Sequence, residues 1–384
     1  MGLGLADVMR RHGPAYLERF REGLLPSHAQ AIRAIVRCRT PLLGGHLAEC
    51  AQCGGEHMLY HSCRHRACPR CGHDTTDRWL AKQRELLLPV RYFHLVFTLP
   101  AEIADVVRSH QKALLPVLFR AAFQALARLC KDERYLGAQK IGALAVLHTW
   151  TRTLGWHPHI HMLVPGGGLA ADGRAWVRPR ARRKPYLVPV KALSDAFRGR
   201  FLHLARRALP AVVLPEVPKR KRWVVFAKPA VQGADKVLDY LGRYVHRTAL
   251  SDKAIVACDE QSVTFAYRKS GQSVRRTMTL PAAEFLRRFL QHVPPKGFHR
   301  VRAFGLLHRT QRTTLRRLQL RLAKPVAAPA TEKTSTPSRP AADRKCPHCG
   351  QSSLRLVRRL SPAECAEREQ RAEREEAPRA RAPP

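Results

Sequence analysis

Three kinds of side chain recur at spacings that could do chemistry together: alternating histidines, tyrosines one helical turn apart, and cysteines in C-x-x-C pairs. His157, His159 and His161 alternate with Pro158 and Ile160, so on an extended strand the three imidazoles project from one face. A lone strand histidine is usually a satisfied core residue, but three together leave several nitrogens to bond, and a divalent metal ion does this economically. Ile160 then points into the apolar layer beneath. Tyr240 and Tyr244, in Tyr240-Leu-Gly-Arg-Tyr244, lie about 40° apart around a helix axis and share one face. Two such tyrosines are by themselves most often packing, but Arg243, His246 and Arg247 surround these with positive charge. The combination suits the breaking of a phosphodiester. A metal ion, Mg²⁺ or Mn²⁺, held by two of the imidazoles polarises the phosphate while a tyrosyl oxygen attacks phosphorus. The products are a 5′-phosphotyrosine and a free 3′-hydroxyl, and attack by another 3′-hydroxyl reverses the step and joins a different strand.

The cysteines suggest a second metal. Cys50-Ala-Gln-Cys53 and Cys68-Pro-Arg-Cys71 form C-x2-C-x14-C-x2-C, and each C-x-x-C turn presents two thiolates to one zinc ion. Glycines at 54, 55 and 72 follow the pairs, where a tight turn benefits from a residue tolerant of positive φ. The expected zinc set is Cys50, Cys53, Cys68 and Cys71, with Cys63, His61, His65 and His73 each able to replace a member; four buried small hydrophobes would be the alternative. Arg64, Arg66 and Arg70 interleave with these residues and suit phosphate contact. Cys346-Pro-His-Cys349 is a lone half-site, with only His348 and Cys365 nearby as further donors.

The elements that must position these groups follow from pattern. Strands are expected at 91–100, 141–150, 156–165, 223–226, 253–258, 262–268 and 274–280, and helices at 101–130, 190–209, 233–247 and 281–292. Leu154-Gly155 joins 141–150 to 156–165 as a hairpin, so the fold class is α+β with an antiparallel sheet. The chain divides into a helical segment at 1–40, a zinc-binding module at 41–78, a catalytic domain at 79–300, a basic helical extension at 301–324, a linker at 325–345 and a Cys-pair and charged tail at 346–384, disordered from 366.

With 69 Lys and Arg against 29 Asp and Glu, the net charge of +40 calls for a polyanionic partner, nucleic acid above all. Arg178, Arg180, Arg182, Arg183 and Lys184, the run 219–222, Arg243, Arg247 and the Arg-rich stretch 299–321 are the candidate DNA contacts. No run of about 18 apolar residues and no signal-peptide pattern is present, so a membrane partner is not expected. Eleven cysteines, an odd number, read as reduced thiols of a cytoplasmic protein.

At these residues the chain resembles a known family. Phe97-Thr-Leu-Pro100, His157-Pro-His-Ile-His161 with Val164-Pro-Gly-Gly-Gly168, Tyr240-Leu-Gly-Arg-Tyr-Val-His-Arg247 and Gly297-Phe-His-Arg-Val-Arg302 look like the insertion sequence 91 transposases of the HUH endonuclease superfamily, two-tyrosine type. The Cys50 to Cys71 module resembles that family's N-terminal zinc-binding domain, here a zinc-ribbon-like unit, and the likeness spans about residues 20–310 in order. The resemblance implies a ferredoxin-like palm with the histidines on a central strand. It also implies rolling-circle transposition on single-stranded DNA at transposon ends and target, with Tyr240 and Tyr244 as nucleophiles. The resemblance makes His159 and His161 the metal ligands, with a third expected among His157, His246 and Asp235. Two rivals remain: a replication initiator or relaxase of the same chemistry, and a non-enzymatic zinc-ribbon nucleic-acid-binding protein whose His strand is structural.

Overall fold

A computed structural model of the chain describes residues 2–71, 73–179, 187–217, 222–230, 235–239, 242, 249–268, 272–323, 345–351 and 354–376. The chain opens with helices α1 (Leu5–Arg19) and α2 (Pro26–Arg37), then strands β1 (Gly45–Cys50) and β2 (Glu56–Tyr60) and helix α3 (His73–Arg84). β3 (Tyr92–Thr98), α4 (Ala101–Ser109), α5 (Gln111–Lys131), β4 (Gly142–Trp150) and β5 (Trp156–Pro165) follow, then the short β6 (Gly168–Leu169) and β7 (Trp176–Val177), α6 (Val190–Ala208) and β8 (Val225–Pro229). β9 (Ile255–Cys258), β10 (Ser262–Arg268) and β11 (Arg275–Pro281) precede a helix at Ala282–Leu290 and β12 (Val301–Gly305). Beyond them lie a helix at Arg312–Leu322, β13 (Leu354–Leu360) and a helix at Pro362–Glu376.

The central layer is a five-stranded antiparallel sheet in the order β12-β4-β5-β3-β8. Without the edge strand β12, the run β3, α4 and α5, β4, β5, α6, β8 is a βαββαβ unit, the ferredoxin-like arrangement, and β5 is its central strand. Period-2 alternation decides the faces. Phe93, Leu95 and Phe97 of β3, Ala143, Ala145 and Leu147 of β4 and Ile160, Met162 and Val164 of β5 share one core with α5 and α6. Leu144, Val146 and Leu163 point the other way, into a second core with Leu88, Tyr92 and Leu238. Both faces are covered, so β4 and β5 are buried almost throughout, and each fully buried Phe or Leu contributes roughly 1.5–3 kcal/mol. The helix Gln111–Lys131 is long and apolar enough to cross a membrane, and Leu114, Leu115, Leu118, Ala122 and Leu126 are buried in the sheet core.

The helix expected over 101–130 is two, because the chain turns at His110, φ −120° and ψ 42°. A second sheet, β13-β1-β2, joins the cysteine module to the far end of the chain. The charged end is helical as far as Glu376. Ser361 and Glu364 form a capping box, Ser361 N donating to Glu364 Oε2 at 2.8 Å and Glu364 N to Ser361 Oγ at 3.3 Å. The linker at 325–345 lies, except for Lys345, outside the described residues.

Candidate metal centres and nucleic-acid face

β5 is flanked by β3 and β4 in the sheet, and it carries His159 and His161 on the face opposite the α5 and α6 layer. His148 of β4 lies directly across from His159, their Nδ1 and Nε2 atoms 2.8 Å apart. The ligand atoms of His148, His159 and His161 all lie within 4.8 Å of one another. Of the expected third ligands, His157 is exposed at the start of β5 and Asp235 pairs with Arg84 at 3.6 Å; His246 lies outside the described residues.

A bulge explains why His148 escapes a reading of the sequence. Trp150 pairs with Trp156, a register that would set residue 148 across from Pro158. The register shifts between His148 and Trp150, so His148 faces His159 and shares its side of the sheet. His148 was nonetheless visible as a histidine in the partner strand of a hairpin already rich in them.

The surroundings fit a metal ion. His159 Nδ1 is 2.7 Å from the His157 carbonyl, a bond that needs the Nδ1–H tautomer and leaves Nε2 as a lone-pair donor. His94 of β3 holds His161, its Nε2 3.0 Å from His161 Nδ1, with the rings stacked. Burial pushes the His159 imidazole down to about 4 and the His161 imidazole down to about 2, and holds His148 lower still. Three neutral, buried imidazoles with convergent nitrogens are a donor set for a divalent transition ion, and Mn²⁺ suits imidazole better than Mg²⁺ does.

Tyr240, Tyr244, Arg243 and Arg247 lie outside the described residues, as do Arg180, Arg182, Arg183 and Lys184. Residues 235–239 are helical. Leu238 is buried with Leu144, Val146 and Leu163 on the histidine face, and Asp239 pairs with Arg84 of α3. Arg178 is exposed. Part of the expected basic surface is structural instead. Arg300 is buried, donates to the His292 carbonyl at 2.7 Å, and is pushed down to about 10 by burial. Arg302 stacks over Phe119 and Phe298. Arg66 donates to the Pro295 carbonyl at 3.1 Å and to that of Phe298, and Arg70 pairs with Asp252 at 3.3 Å, so neither is spare for phosphate.

The four expected zinc ligands do not form one site; they divide between two clusters. Cys68 and Cys71 join Cys38 and Cys63, whereas Cys50 and Cys53 join Cys346 and Cys349. Cys63, an open alternative in the sequence, belongs to the first cluster, and Cys38 at the end of α2 was missed because it stands alone in sequence. Within that cluster Cys71 Sγ is 3.5 Å from Cys38 Sγ and 3.7 Å from Cys63 Sγ, close to the edge of about 3.8 Å that Zn–S bonds of 2.3 Å give a tetrahedron. Hydrogen bonds from Cys63 and Cys68 hold the Cys38 thiol far below its usual range, while the contact with Cys38 pushes Cys63 and Cys68 up. Four crowded sulfurs cannot all ionise alone; a dication removes that conflict.

Two family models match the chain: one described as "Transposase zinc-binding domain" over residues 8–99, and one described as "Putative transposase" over residues 142–314. The chain is 38% identical over 380 residues to "Putative transposase y4qJ" of Sinorhizobium fredii, covering 92% of this chain and 94% of that protein. It is 29% identical over 301 residues to "Transposase for insertion sequence element IS801" of Pseudomonas savastanoi pv. phaseolicola, covering 74% of this chain and 71% of that protein. No solved structure matches it.

Proposed function

The chain belongs to the insertion sequence 91 family of transposases, and we propose that it nicks and rejoins single-stranded DNA through tyrosine, by rolling-circle transposition. The observation that carries this reading is the trio His148, His159 and His161 on the sheet face against which Leu238, two residues before Tyr240, is buried. A divalent ion held by the three imidazoles would polarise a non-bridging oxygen of the scissile phosphate. His94 and the His157 carbonyl keep His161 and His159 turned toward that point. The phenol oxygen of Tyr240 or Tyr244 forms a bond to phosphorus, the bond from phosphorus to the 3′ oxygen breaks, and the departing 3′ oxygen takes up a proton. The second tyrosine lets a second strand be held covalently while the first awaits attack by a 3′-hydroxyl. The charge of +40 draws the strand in.

The N-terminal module, matched by the zinc-binding family model, uses Cys38, Cys63, Cys68 and Cys71 for one zinc ion, which fixes the turn at 63–71 against α2 and the buried core of α1. Incubation with single-stranded element ends and Mn²⁺ tests the chemistry. The full chain forms a covalent protein–DNA adduct, and the Tyr240→Phe, Tyr244→Phe double variant forms none. An adduct that persists in the double variant removes both tyrosines as nucleophiles.

A further inference from the structure

We propose that Cys50, Cys53, Cys346 and Cys349 form a second zinc site that staples the C-terminal segment to the N-terminal module. Cys346 and Cys349 lie outside both segments matched by the family models, which end at residues 99 and 314. Their partners are 293 and 299 residues away in sequence. Cys50 Sγ is nevertheless 3.6 Å from Cys349 Sγ, and Cys53 Sγ is 3.7 Å from Cys346 Sγ. All four sulfurs lie within 4.8 Å of one another. These separations are far beyond a disulfide bond and close to the edge of about 3.8 Å of a zinc tetrathiolate.

The backbone supplies an independent argument. Cys50-Ala-Gln-Cys-Gly54 and Cys346-Pro-His-Cys-Gly350 adopt the same turn. Gly54 N donates to the Cys50 carbonyl at 2.8 Å, and Gly350 N to the Cys346 carbonyl at 2.9 Å. Cys50 N donates to the Gly55 carbonyl at 3.0 Å, and Cys346 N to the Gln351 carbonyl at 2.8 Å. Gly54 and Gly350 sit at φ of +67° and +74°, where a side chain would strain the backbone. Two matching knuckles, each presenting two thiolates, face each other across one point. His57 of β2 adds a nitrogen 3.1 Å from Cys346 Sγ, which as an N–H donor stabilises the surplus negative charge of four thiolates on one dication.

The site explains why so polar a strand as β13, Leu-Arg-Leu-Val-Arg-Arg-Leu, is held against β1. Among the described residues, the apolar support near its start is the small cluster of Ala48, Leu354 and the cysteines themselves, with Leu59 packed against it. Arg359 of β13 lines a cavity of about 1090 Å³ together with Arg39 and Arg64.

Zinc counting on the full chain tests the site, in a His159→Ala, His161→Ala background so that a histidine-bound ion is not counted. The expected content is two zinc ions per chain, falling to one in the Cys346→Ser, Cys349→Ser pair and also to one in the Cys63→Ser, Cys68→Ser pair. One zinc in the parent chain, or two in the Cys346→Ser, Cys349→Ser pair, overturns the proposal. Should the serine pair lose both ions, Cys349→His, which keeps four donors, decides: two ions support the site, and one or none overturns it.

Discussion

Replacing His148 gives the sharpest test of the histidine centre, because nothing in the spacing of the sequence singles it out. His148→Gln removes a nitrogen donor but keeps much of the volume and an amide that can still bond His159 Nε2, now 2.8 Å from His148 Nδ1. This choice matters, since alanine would also open a hole beside Trp150, whose ring centroid is 4.0 Å from that of His148, and would cost about 2 kcal/mol of stability. Loss of even an outer-shell partner weakens a metal site about 10–100-fold, so removing one of three direct donors should weaken Mn²⁺ binding roughly 100-fold, about 2.7 kcal/mol. His157→Gln is the paired control: His157 is exposed and lies outside the set of nitrogens within 4.8 Å, so affinity should stay within about threefold. Electron paramagnetic resonance of free Mn²⁺, titrated with each protein, reads the dissociation constants directly. Wild-type affinity in His148→Gln, or a hundredfold loss in His157→Gln, would show that the third ligand has been misassigned and that the strand bulge has no role in the site.

Three further outcomes follow from the same coordinates. His159→Ala with His161→Ala should abolish cleavage of single-stranded ends while affinity for the same DNA in gel shifts changes less than about threefold, because phosphate contacts rather than the imidazoles carry binding; intact cleavage would refute the metal role. His292 is buried, with its Nε2 3.1 Å from the Leu154 carbonyl, and burial pushes its imidazole down to about 3 from 6.5. The unfolded chain therefore takes up a proton that the folded chain refuses. This stabilisation is complete above about pH 6.5 and is lost as pH falls toward about 3, on the order of 1.4 kcal/mol per unit; His292→Phe should flatten that limb in urea titrations, and an unchanged acid limb would argue against it. Gly305 has φ +54°, and a Cβ there would stand 1.9 Å from the Ile141 carbonyl oxygen, so Gly305→Ala should lower the unfolding free energy by about 3 kcal/mol, whereas a loss under about 0.5 kcal/mol would show that β12 is free to shift.

Much of the palm was legible because local periodicity carries it. Strand β5 was expected at 156–165 and runs Trp156–Pro165; β10 was expected at 262–268 and runs Ser262–Arg268; each is bounded by turn residues and filled with residues that suit a pleated surface. β13 went unread, since Arg355, Arg358 and Arg359 hide any apolar alternation, and its partner β1 is some 300 residues away. The capping box at Ser361 and Glu364 was present in the sequence and marked a helix inside a stretch whose charge suggested none.

The sequence by itself determined which residue types could ligate and which strand face His159 and His161 would share, because side chains alternate with period two whatever the rest of the chain does. It also determined that six of the cysteines come in pairs, since a C-x-x-C turn is local. Only the tertiary structure decided the membership of each cluster. Whether Cys50 and Cys53 meet Cys68 and Cys71 or Cys346 and Cys349 depends on which strand pairs with β1, a contact spanning almost the whole chain. Likewise, one extra residue on β5, between Trp156 and His159, set His159 across from His148, and a bulge leaves no trace in periodicity because it is a break in it.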